Sequence, residues 1–327
     1  MCVRRSVSGF VMALLVVPGV VSGQETPVVE TKAVMVHIGQ RTWLSTGASE
    51  FSFAGLGGVP NVLSELKWKQ VASTVVEFDA NALLFERYSL SIGTGFGAVK
   101  GGTLRDQDFA GNNRTQLDSD TISAAGDDAL FFVNVDFGYR VLTWAGRHQK
   151  PRNWLDLLIG YQHWRERYIA TQTIDVFPGT RTIDQGRALT NDFIWDSVRL
   201  GARSEIELLP DLSLRAKMLL IPWTRFQLKD IHHLRTTGLD PLLQDPSFEA
   251  TTTNWMGGGG VGGQLDATLS YRVWHDLSLE LGYQWWRINS GEGTITARTL
   301  GSGQVVQPFN GATTTRHGAI IGIHYRF

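Results

Sequence analysis

The sequence predicts an all-β fold, a ten-stranded antiparallel transmembrane β-barrel extending above the outer membrane. Three observations carry this. Apolar residues recur at every second position over long runs, the connections between runs alternate between short and long, and no stretch past residue 24 approaches the roughly 18 consecutive apolar residues of a spanning helix. Strands with one polar face are compatible with lipid only in a closed barrel, where every backbone group is paired and no edge remains.

The strands follow in order. Runs near 33–46 and 61–83 open the chain, the second with Val76, Phe78, Ala80, Ala82 and Leu84 alternating with Glu77, Asp79 and Asn81. A third near 88–106 carries Leu90, Ile92 and Phe96, and a fourth near 122–141 sets Val133, Val135, Phe137 and Tyr139 against Asn134, Asp136, Gly138 and Arg140. The fifth, near 153–172, places Leu155, Leu157 and Ile159 on one face, and a sixth is near 190–208. The seventh, near 212–230, alternates Leu212, Leu214, Ala216 and Met218 with Ser213, Arg215 and Lys217. Runs near 261–274 and 277–290 follow, and the chain ends in 313–327 on Ala319, Ile321, Ile323, Tyr325 and Phe327. Many of these exceed the roughly five to six residues of ordinary soluble strands and are long enough to cross a bilayer at a tilt.

Short turns at 85–87, 209–211 and 274–276 face long polar loops near 47–60, 107–121, 173–189, 231–260 and 291–312, the asymmetry of an outer-membrane barrel. Trp43, Trp68, Trp154, Trp164, Trp195, Trp223, Trp274, Trp285 and Trp286 lie near strand ends and are expected in interfacial girdles. The terminal Phe327, with Tyr325 on the same face, fits the ending of bacterial outer-membrane barrels.

Composition excludes more than it identifies. The 327 residues are 43% apolar and 19% charged, and Lys plus Arg (30) nearly cancel Asp plus Glu (31), leaving no basic excess for nucleic acid. One cysteine makes no disulfide framework. Residues 1–23 have the parts of a secretory signal peptide: Arg4 and Arg5, the apolar run from Phe10 to Val21, then Ser22 and Gly23. Residues 24–327 then form the barrel.

Two pairs offer chemistry. Asp106 and Asp108 close the third strand at its long-loop end; two carboxylates two residues apart face the same way and can share a proton, hold a water or bind a cation, although solvated loop aspartates would look the same. Asp230 and His232 close the seventh strand at the same end, spaced so that the carboxylate can orient the imidazole. No Ser-His-Asp set or metal-ligand spacing competes, and His232 and His233 point to opposite faces, so as a metal pair they fail.

These pairs and their surroundings resemble the omptin family of outer-membrane endopeptidases. The resemblance spans nearly all of the mature chain: the 63–69 segment, Gly101-Gly102 leading to Asp106-Gln107-Asp108, Gly160-Tyr161-Gln162 with Arg165, Trp223 seven residues before Asp230, and the terminal 322–327. It implies an aspartic-type, metal-independent endopeptidase without covalent intermediate or cofactor. In that mechanism Asp230 orients and charges His232, which takes a proton from a water, while Asp106 and Asp108 position the water and stabilise the developing tetrahedral centre. Of the family's two acids that bind basic substrate residues, one aligns with Glu50 and the other falls on Leu228, which weakens the expectation of cleavage beside basic residues. The family also binds lipopolysaccharide on its outer wall. Tyr161 and Arg165 match two of those positions while His163 replaces a usual glutamate, and ordinary girdle and snorkelling residues are the competing reading. The implied partners are peptide or protein substrates at the cell surface and outer-membrane lipid, lipopolysaccharide being a candidate requirement for activity; a monomer is the expected state.

One difficulty must be met. In strict alternation Asp106 and Asp108 share parity with the outward Leu90, Ile92 and Phe96, and Asp230 and His232 with Leu212, Leu214 and Met218. Bulges at Gly101-Gly102 and Pro222 are therefore required to turn both pairs inward. The alternative function is a barrel of the same ancestry that does not cleave and serves as adhesin, receptor or structural protein, favoured by Leu228. A porin is disfavoured, because ten strands leave an interior filled by side chains such as Arg199, Arg203, Glu205, Arg215 and Lys217.

Overall fold

A computed structural model describes residues 34–126, 128–146, 151–233, 247–255, 261–298 and 304–327. The expected signal peptide, residues 1–23, lies outside them. The described residues form thirteen strands: β1 (Val34–Phe53), β2 (Ser64–Leu84), β3 (Tyr88–Gly111), β4 (Thr115–Ala125), β5 (Asp128–Ala145), β6 (Pro151–Phe177), β7 (Arg181–Leu209), β8 (Leu212–His232), β9 (Ser247–Trp255), β10 (Gly262–Trp274), β11 (Leu277–Asn289), β12 (Gly293–Arg298) and β13 (Gln304–Arg326). They make ten staves, because three staves are built from two strands each: β5 and β4 both fill the gap between β3 and β6, β10 and β9 both pair with β8, and β11 and β12 both pair with β13. Antiparallel pairing of β1 with β13, from His37↔Arg326 upward, closes the ring.

The outer wall near the short turns is an apolar belt. Leu90, Ile92 and Phe96 of β3, Val135 and Phe137 of β5, Leu157 and Ile159 of β6, Leu265 and Leu269 of β10 and Ile321 and Ile323 of β13 are all exposed on it. Tyr88, Tyr139, Tyr271, Trp274, Tyr325 and Phe327 ring its lower edge. Strands of 27 residues in β6 and 29 in β7 far exceed the roughly 9–11 that cross a bilayer, so the barrel continues above the belt.

The interior is layered. Beside the short turns lies a charged cavity of about 400 Å³, lined among others by Arg199, Arg203, Glu205, Arg215 and Lys217 as the sequence led us to expect, and crossed by ion pairs such as Arg199–Asp136 (2.7 Å) and Arg41–Glu77 (2.7 Å). An aromatic layer caps it. Trp164 stacks on Phe132 (ring centroids 5.0 Å apart) and on Trp286 (4.5 Å), with Trp43 edge-on at 6.1 Å. Trp43, Trp68, Trp164, Trp195 and Trp286 are thus fully buried inside the barrel, correcting the expectation that they form girdles. Each sits on the inward parity of its strand, where large rings fill a narrow bore.

Higher still, the fully buried Arg316 pairs with Glu166 (2.7 Å) and also donates to Ser73 Oγ (2.8 Å) and Tyr168 Oη (3.1 Å). Above this layer Phe51, Phe193, Phe226, Leu228 and Phe309 form an apolar floor.

Candidate active site

Both aspartate-bearing strands change parity where the sequence required it. Along β3, Ser89 and Val99 face inward below the glycines; above them Leu104 is buried and Asp106 and Asp108 follow it on the same side. The register records the step. Ser73 pairs with Val99, Ala72 with Gly101 and Lys69 with Thr103, and the shifts fall on either side of Ala72↔Gly101. Gly102 takes φ +132, a value that a side chain would strain, and a Cβ there would lie 3.0 Å from Lys69 O. In β8 the inward residues are Leu219 and Ile221 below Pro222 and Phe226, Leu228 and Asp230 above it; the pairings Leu200↔Leu220 and Val198↔Trp223 enclose the extra residue.

A third bulge had no sequence signal. β2 slips at Gln70, which has φ +53, so that Trp68, Leu66 and Ser64 turn inward beside β3.

Asp230 is fully buried, and its Oδ2 lies 3.0 Å from His232 Nε2. Its other oxygen, Oδ1, accepts from Asn191 Nδ2 of β7 at 2.8 Å, and Asn191 Oδ1 accepts the indole N–H of Trp68 from β2 at 2.7 Å. That last bond crosses the bore, because β2 and β7 are four staves apart. Trp68 pairs with Leu104 and Leu66 with Asp106, so the bond ties the Asp106/Asp108 wall to the Asp230/His232 wall at one height. Asp106 and Asp108 are partly buried, and the Ser64 hydroxyl lies 3.5 Å from Asp106 Oδ1. His233 turns away to Thr190 Oγ1 (2.9 Å); partial burial, then the charge of Arg187 and the neighbouring His232, hold its imidazole below the ordinary value. Among the described residues no group of three or more His, Cys, Asp or Glu side chains could hold a metal ion.

The presumed substrate pocket is corrected. β1 alternates without a break from Trp43 to Phe53, burying Ser49, Phe51 and Phe53, so Glu50 is exposed on the outer face. Leu228 is buried, on the opposite side of the wall, beside its partner Phe193. The two residues do not share a pocket.

On the outer wall, Tyr161, His163 and Arg165 project from β6 in line with Leu157 and Ile159. Tyr161 Oη donates to Asp196 Oδ1 (2.5 Å), His163 Nδ1 lies 2.8 Å from the same oxygen, and Arg165 pairs with Asp192 at 2.5 Å.

The family model for Pom, the Protochlamydia outer membrane protein, matches residues 42–312. The chain belongs to the Pom family. Among solved structures, the outer membrane protease OmpT from Escherichia coli is similar with a TM-score of 0.72 over 91% of this chain and 99% of that one, at 14% identity. That identity makes the likeness one of fold. The translocator domain of the autotransporter NalP from Neisseria meningitidis covers 91% of this chain and 90% of its own at 11% identity, with a TM-score of 0.37. The toluene transporter TbuX from Ralstonia pickettii covers 91% of this chain and 90% of its own at 9% identity, with a TM-score of 0.33. No curated protein matches the sequence. This Pom-family chain is therefore an outer-membrane β-barrel whose upper interior carries Asp106, Asp108, Asp230 and His232.

Sequence reasoning missed Asn191 and Trp68. A signal existed for Asn191: it is the lone amide between Leu189 and Phe193 on the inward parity of β7, and it pairs with Asp230. Trp68 had none, because its inward position depends on the unmarked bulge at Gln70.

Proposed function

We propose that this barrel is an outer-membrane endopeptidase of omptin type. The observation that carries the reading is the pair of parity-reversing bulges, which turn Asp106 and Asp108 on β3 and Asp230 and His232 on β8 into one bore. Asp230 orients the imidazole and stabilises its protonated form. His232 takes the proton of a water held between the two walls, and Asp106 and Asp108, sharing a proton, position that water and offset the charge that develops on the attacked carbonyl. The proton then passes from His232 to the leaving amine.

Leu228, two residues below Asp230 on the same face, sets the specificity in this reading. A substrate side chain reaching the floor meets Leu228, Phe51 and Phe193 rather than a carboxylate. Arginine or lysine there would be desolvated without a counter-charge, at a cost of several kcal/mol, so cleavage is expected beside apolar residues. Tyr161 and Arg165, at the upper edge of the apolar belt, are the proposed lipopolysaccharide contacts. The signal at residues 1–23 would direct export.

The test is refolding with lipopolysaccharide and incubation with a peptide library, beside His232→Ala and Asp106→Ala. Cleavage by the parent that is lost in both variants is the expected result. Cleavage undiminished in both would assign the activity elsewhere, and a parent that cleaves nothing would favour the binding or structural barrel, the reading to which Leu228 also lends weight.

A further inference from the structure

We propose that Trp68 and Asn191 form a cross-barrel positioning relay that presents Asp230 to His232 as a hydrogen-bond acceptor. The inference rests on the endopeptidase reading for its catalytic consequence, but its geometry stands alone. An indole nitrogen only donates, so the group facing Trp68 Nε1 must be the carbonyl of the Asn191 amide. The amide is planar, so its NH2 must then face Asp230. Asp230 Oδ1 therefore accepts and carries no proton, which leaves Oδ2, the oxygen 3.0 Å from His232 Nε2, to meet the imidazole. Trp68, Asn191 and Asp230 are all fully buried, so water cannot replace a missing link.

The relay also predicts the sign of a pH effect. Proton loss from the Asp230/His232 pair leaves a net negative charge on Asp230, and the Asn191 N–H stabilises that charge. Without it, proton loss becomes harder. The substitutions leave in place the polar groups of the surrounding strands: Asp106 and Asp108 on β3, Ser64 on β2, Arg187 and the outward Asp192 on β7, and the outward Lys229 and His233 on β8. β9 sets Phe248 opposite Asp230 and Glu249 opposite Lys229.

Asn191→Leu removes the donor while keeping the branching of the side chain; Trp68→Phe keeps an aromatic ring and removes the indole N–H together with the five-membered ring that carries it. Histidine-labelled full-length barrels in lipopolysaccharide-containing micelles, checked for folding by heat-modifiable gel mobility, give the His232 titration by NMR. The pH profile of kcat/KM is read on the same samples. In Asn191→Leu the His232 midpoint and the acid limb of the rate profile should both move up by about one pH unit, with kcat/KM at neutral pH falling roughly tenfold. Trp68→Phe should move both in the same direction by less. The double variant should move them no further than Asn191→Leu alone, because the links act in series. An unmoved midpoint in folded Trp68→Phe and Asn191→Leu overturns the relay, and so does lower activity without any shift, which would mark a packing role. If Asn191→Leu does not fold, Trp68→Phe decides alone. A parent that cleaves no peptide while the midpoints shift as described would remove the endopeptidase reading and leave the relay standing.

Discussion

Glu50 and Leu228 show how much one residue's parity decides. They are separated by the barrel wall, Glu50 exposed outside and Leu228 buried inside, because β1 has no bulge of its own while β8 has one at Pro222. Glu50→Gln is accordingly expected to leave the cleavage profile unchanged, and a selective loss of cleavage beside basic residues would return Glu50 to the pocket. Leu228→Asp places a carboxylate two residues below Asp230, and should raise the ratio of cleavage beside arginine or lysine to cleavage beside apolar residues. It should also lower stability by about 1–3 kcal/mol, because the new charge sits against Phe193. The four candidate residues stand out in the sequence by type and spacing together with the omptin resemblance. Their supports do not: Asn191 becomes visible only when β7 is set against β8, and Trp68 only when the bore is closed.

At the scale of elements, the bulges do the positioning. At Gly102 a side chain meets both strain and backbone, with φ +132 and atoms of Lys69 and Val71 about 3.0 Å from a would-be Cβ. Gly93, lower in the same strand, has nothing nearer than 3.9 Å. Gly102→Ala should therefore cost about 1–3 kcal/mol in urea unfolding and reduce cleavage, with Gly93→Ala close to neutral on both measures. Equal effects of the two substitutions would show that the Gly102 bulge is not under strain. The strands within the belt were readable because lipid on one side and a polar bore on the other enforce a period of two. Hydropathy predicts loops where the upper strands run. Residues 107–111, 173–177, 181–189, 293–298 and 304–312 are strand, as are β4 before residue 122 and all of β9, but above the belt their outer face meets water and the hydrophobic alternation fades. Segments such as Gln304–Phe309, with polar and apolar residues on both faces, carry strand pairing without a strand-like hydropathy pattern.

Low in the barrel an apolar belt surrounds a polar bore, and above it polar strands meet water, which is why the mean hydropathy of −0.08 resembles that of a soluble protein. Among the described residues, a fully buried ion pair braces the bore in mid-barrel. Arg316 reaches Glu166, Tyr168, Ser45 and Ser73, joining β13, β6, β1 and β2. Arg316→Ala should destabilise the barrel by about 3–5 kcal/mol in urea unfolding, because Glu166 is left charged with no counter-ion in a closed interior. Little change would mean that water reaches Glu166. That brace and the aromatic layers beneath it hold the floor on which the two acid-bearing walls stand. The most direct test of their chemistry is kcat/KM of the folded parent against Asp230→Asn on one peptide selected from the library. The substitution keeps the shape of the side chain and removes its charge. A loss on the order of 10³-fold is expected for an aspartate that orients and charges a histidine base, and equal rates would contradict Asp230 and His232 as the centre that activates the water.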